Sequence, residues 1–106
     1  MSDLFCAANL VVVQDNGSVP TGERFAAVWC GPAAEAAASE VAQRLGLPVT
    51  VRPELESAPA LAGVLQELAD MFRGETVLLV AQSAEQLRSV DAVAPTVEGL
   101  DLGIRR

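Results

Sequence analysis

The run Leu10-Val11-Val12-Val13 passes directly into Gln14-Asp15-Asn16-Gly17, which sets a carboxylate at the end of a strand-like segment. A carboxylate in that position can attack phosphorus and form an acyl phosphate. Such chemistry needs magnesium, a second carboxylate close in space and a cation on the phosphoryl group. No acidic pair occurs within the Asp15 loop, and the chain has no lysine to supply the cation. The same residues serve as a turn, because Asp and Asn bond their own backbone and Gly17 accepts positive φ; turn chemistry is the favoured reading. Cys30, near the end of a second strand-like run, is another nucleophile by type. Without a histidine to activate it, a buried or semi-buried thiol is expected. Gly31-Pro32 opens a helix and offers N–H groups to an anion, as nearly every helix start does.

All of the basic residues are arginine, and lysine, histidine and tyrosine are absent. Imidazole acid–base catalysis, a phosphohistidine intermediate, histidine metal ligation and Schiff-base chemistry are thereby excluded. A net charge of −7 opposes binding to a nucleic-acid backbone, where affinity is assembled from Lys and Arg contacts to phosphates. Cys6 and Cys30 lack metal-ligand spacing and are expected as reduced core thiols, with no metal or other cofactor. A chain of 106 residues, 51% hydrophobic and 20% charged, suits one small domain over 1–106. No apolar run approaches the ~20 residues that cross a bilayer, so no membrane partner is expected. No basic residue precedes the short apolar stretch after Met1-Ser2-Asp3, so no secretory signal is expected and the cytoplasm is the expected compartment.

Short apolar runs alternate with helical periodicity, the pattern of an α/β fold with a mainly parallel sheet flanked by helices in three layers. Strands are expected over Leu10–Gln14, with a backward extension to Phe5 allowed, over Phe25–Trp29, Pro48–Arg52 and Thr76–Ala81, and at an edge over Leu100–Ile104. Thr76–Ala81 is nearly all apolar and reads as a central strand. One helix runs from Pro32 to Leu45, with Ala34, Ala37, Ala38, Val41, Ala42 and Leu45 on one face and Gly46 as its stop. A second is opened by Pro59 and closed by Gly74, with Leu61, Val64, Leu65, Leu68 and Phe72 at helical spacing. A third, shorter helix covers Ser83–Val90. Arg24, Arg52 and Arg88 read as solvated surface charges, and Trp29 as a core or interface residue.

Three segments, "LVVVQDNG", "VWCGPAAEAAASEVAQRLGLPVTVRPEL" and "RGETVLLVAQSAEQLRSV", follow one another between Leu10 and Val90. In wording and order they resemble the histidine phosphatase superfamily, the phosphoglycerate mutase-like proteins. The resemblance implies a shortened fold of that type whose long insertion before the last core strand is reduced to about one helix. It sets Gln14 where the family has its first phosphate-binding arginine and Asp15, followed by Asn16, where it has the phosphorylated histidine. Glu35 falls at the second arginine, and Gln82, between Ala81 and Ser83, at the other histidine.

The vestigial cleft implied by this comparison is therefore Gln14, Asp15, Asn16, Glu35, Gln82 and Ser83. A glutamate in place of an arginine changes the local charge by two units. At ~4 Å and an effective dielectric of ~20, each like-charge contact with phosphate costs on the order of 4 kcal/mol before screening. The expected function is that of a non-catalytic relative, a pseudophosphatase working through protein contacts as a homodimer or a small subunit. Two alternatives stay open: a cleft around Asp15, Glu35 and Gln82 that takes a neutral or cationic small molecule, and a residual phosphatase with non-histidine chemistry.

Overall fold

A strand that is apolar on both faces must be covered on both, and Thr76–Ala81 (β4) takes the centre of a five-stranded sheet. The computed structural model describes residues 7–14, 19, 22 and 24–102. In it the strands are Ala8–Gln14 (β1), Ala27–Cys30 (β2), Val49–Val51 (β3), β4 and Leu100–Leu102 (β5). They are ordered β3-β2-β4-β1-β5, and every pairing is parallel. The helices are Glu35–Leu45 (α1), Ala58–Met71 (α2) and Ala84–Val93 (α3).

The two-residue period of the strands divides the core. Leu10, Val12, Trp29, Val77 and Leu79 point to the face covered by α2 and α3, where Leu61, Leu65, Leu68 and Val90 meet them. Val11, Val13, Val28, Leu78 and Val80 point the other way, onto Phe25 and the Ala34, Ala38 and Ala42 stripe that leads into α1. Crossovers stepping toward β5 thus carry α2 and α3 on one face, and the crossover from β2 to β3 carries α1 on the other, as a single crossover hand requires. The adjoining strands β2 and β4 send their chains to opposite faces, so a crevice opens at the carboxyl edge of the sheet.

Several boundaries differ from the sequence expectation. Phe25 is buried but precedes β2, which begins at Ala27 and continues through Cys30. The helix expected from Pro32 starts as a 3₁₀ turn, Pro32–Ala34, before α1 proper. It ends as expected: Gly46 has φ +71°, its N–H reaches Gln43 O, and the Leu47 N–H reaches Ala42 O at 2.9 Å, a Schellman close. Leu45, grouped with the buried stripe by its spacing, is 40% exposed; an α-helical face rotates against a seven-residue spacing, and Leu45 stands at the far end. The third helix continues past Val90 to Val93. The expected extensions to Phe5 and to Gly103-Ile104 lie outside the described residues.

Candidate functional site

The register of the parallel strands fixes what reaches the carboxyl edge. Gln14 lies opposite Ala81, and Cys30 lies opposite both Val80 and Val51. Gln14 and Gln82 therefore emerge from neighbouring strands, while Glu35 opens α1 five residues after β2 ends. Asp15, Asn16 and Cys6 lie outside the described residues.

Cys30 is buried and reduced, as expected. Burial, reinforced by the carboxylates of Glu35 and Glu56, pushes its thiol up to about 11. The folded value lies above the ordinary one, so the contribution of Cys30 is intact below roughly pH 8.5 and is lost as the pH rises through about 11. Thiol titration with a disulfide reagent at pH 7 should label Cys30 only after denaturation, and Cys30→Ser should flatten the alkaline limb of the stability profile. Labelling at the rate of a free thiol in the folded protein would contradict the assignment.

Glu56 is a site residue that the sequence did not reveal. Its carboxylate Oε2 accepts the Ala33 N–H at 2.7 Å, so a side chain of this protein occupies the helix start where an external anion would rest. Gly31 makes room for it: a Cβ there would stand 2.6 Å from Glu56 Cγ. The contact spans 23 residues, and no local spacing announces a pairing at that distance.

Gln82 and Ser83 go to the other side of the crevice. Ser83 is the N-cap of α3, its Oγ accepting the Gln86 N–H at 3.2 Å. Gln86 is the only buried polar or charged residue among those described. Its Oε1 accepts the Gln82 N–H at 2.7 Å and its Nε2 donates to Leu55 O at 2.8 Å. The Ser83-x-x-Gln86 spacing of a capping box was available as a signal, although here the amide reaches one residue further back than the usual box. Gln82, Ser83 and Gln86 line a concavity of about 270 Å³ with Leu55, Glu56, Ala58, Leu61, Glu85 and Ser89. Gln14 and Glu35 are not among the residues that line it.

Arg52 is a surface charge, as expected, but a paired one. Its guanidinium pairs with Glu67 at 2.8 Å and Glu54 at 3.2 Å, and its Cζ lies 5.4 Å from the centre of the Trp29 ring. It holds both carboxyls below their ordinary range through these hydrogen bonds. Trp29 is a core residue, as expected, at 1% exposure, with Phe72 edge-on at 6.0 Å. Arg24 and Arg88 are exposed.

Among the described residues no three His, Cys, Asp or Glu side chains stand together as a metal centre, and no helix is long and apolar enough to cross a membrane. No protein-family model, curated protein or solved structure matches the chain.

Proposed function

We propose that this chain is a non-catalytic, cytoplasmic relative of the histidine phosphatases that works by contact with a protein partner, a second copy of itself included. The observation that carries the reading is the register placing Gln14 and residue 82 on neighbouring strand ends. Two groups there could act together on one phosphoryl ester, and in this chain both are amides, which neither attack phosphorus nor carry protons near neutral pH. The nearby anionic groups, Glu35 and Glu56, oppose the charge of a phosphate.

Both faces of the sheet are covered, and Leu45 and Met71 are the large apolar side chains left exposed among the described residues. Among the described residues β3 and β5 are the edge strands of the sheet, each three residues long, and contact with a partner is proposed there. A phosphomonoester assay, run with and without magnesium, should show no turnover above buffer. Turnover that disappears in Asp15→Asn would overturn the reading.

The concavity beside Gln82 favours a second reading, a small-molecule site. It opens at the carboxyl edge of a parallel sheet, where ligands of α/β domains gather.

A further inference from the structure

We propose that β3 is the surface by which two copies of this chain pair, edge to edge and antiparallel about a two-fold axis at Thr50. The inference deepens the contact reading above and rests on it, naming the partner and the strand. The ladder to β2 decides which backbone groups are left over. Pro48 O accepts the Val28 N–H at 3.3 Å, the Arg52 N–H donates to Cys30 O at 2.8 Å, and Trp29 stands opposite Thr50 between them. Residues 48, 50 and 52 therefore face β2. The N–H and C=O groups of Val49 and Val51 point away from the sheet, where no described strand lies.

A two-fold axis through Thr50 sets Val49 opposite Val51 of the second copy, and Val51 opposite its Val49, so that each pair exchanges both of its hydrogen bonds. A slip by two residues breaks the match in either direction. Moved one way, Val51 meets Leu47, whose N–H is already held by Ala42 O at 2.9 Å; moved the other, Val49 meets Pro53, which has no N–H. The edge thus admits one symmetric register.

Charge selects β3 over β5. By the same rule the open groups of β5 are those of Leu100 and Leu102, and a two-fold pairing there would set the exposed Asp101 against its own copy. Like charges directly opposite resist pairing, whereas two threonines at a non-hydrogen-bonded position, where side chains come closer, favour it. Val49-Thr50-Val51 carries no charge, and its partly exposed valines pack on the α1 side of the core. Pairing lays each valine against a valine of the second copy and covers that apolar surface. With three residues a side the association belongs at the weak end, below the ~1,200 Å² of standard interfaces. A charge of −7 on each copy opposes it at low salt.

Sedimentation velocity of the parent at physiological salt, from about 5 to 500 µM, should show a monomer–dimer equilibrium that saturates at the dimer and tightens as salt is raised. Thr50→Glu and Thr50→Lys should each weaken it roughly tenfold or more by facing like charges across the axis, and an equimolar mixture of the two should dimerise again. The parent alone gives an independent reading through amide exchange followed by NMR. Exchange should be fast at Val49 and Val51 in dilute solution and slow several-fold as the concentration rises, with Thr50 slow throughout. A monomer at every concentration, a dimer that Thr50→Glu leaves intact, two variants whose mixture stays monomeric, or exchange at Val49 and Val51 that ignores concentration would each overturn the proposal. A strict monomer would leave contact with a different protein standing, and phosphomonoester turnover would remove the non-catalytic reading without touching the dimer.

Discussion

Trp29→Ala should be the most damaging single substitution in the chain, lowering the stability of the fold by about 3–5 kcal/mol. The indole is 1% exposed and sits in the larger of the two core clusters, beneath α2. Truncation removes the edge-on contact with Phe72 and takes away the ring over which Arg52 lies. Small domains are stable by only ~5–15 kcal/mol, so the loss is a large share of the whole and should lower Tm by roughly 15 °C or more. Trp29→Phe should cost far less, about 1–2 kcal/mol. It keeps an aromatic face for Arg52 and removes Nε1, a buried donor with no hydrogen-bond partner among the described residues. Thermal unfolding followed by far-ultraviolet circular dichroism gives both numbers. Equal losses for Ala and Phe would show that the indole N–H, and not the ring, is what the site needs.

Gln86→Leu should cost about 2–4 kcal/mol, although leucine is similar in size and more apolar. The substitution strips the partners from the buried Leu55 O and the part-buried Gln82 N–H together, and a buried group left unpaired costs on the order of 1–3 kcal/mol. Gln86→Glu makes the same point through pH. Its carboxylate can accept from the Gln82 N–H but faces Leu55 O with nothing to donate until it is protonated. Burial and that carbonyl raise the folded pKa of the new carboxyl, so its stability relative to the parent should be better near pH 4 and worsen as the pH rises through that value. Denaturant midpoints at the two pH values measure it. A Gln86→Leu protein as stable as its parent would remove Gln86 from its role as the tie between the 53–56 turn and α3.

What the sequence made legible follows from range. The apolar β4 run announced a strand covered on both faces and became the centre of the sheet. The Leu61, Val64, Leu65 and Leu68 spacing announced the buried face of α2, and Gly46 announced the end of α1. Each of these signals is contained within a few residues. The carboxyl edge is built from contacts that no window contains: Glu56 with Ala33, Gln86 with Leu55, Arg52 with Glu67. Read singly, Arg52 looks like any exposed arginine, and Glu56 like any acid in a loop. Their roles arise from the crossover that leads from β3 through the 53–56 turn into α2. Gln14, Glu35, Gln82 and Ser83 all stand at the carboxyl edge of the sheet, where Ser83 caps α3 and Gln82 lines the concavity beside it, a pairing of roles that local spacing does not announce.

The proposed non-catalytic reading requires that the carboxyl edge of the sheet not hold a phosphoryl group. Titration with inorganic vanadate, which adopts the five-coordinate geometry of phosphoryl transfer, addresses it most directly. The expected calorimetric trace is flat apart from dilution heat, in the parent and in Glu56→Gln alike. Saturable binding of vanadate by the parent, abolished by Asp15→Ala, would contradict the account.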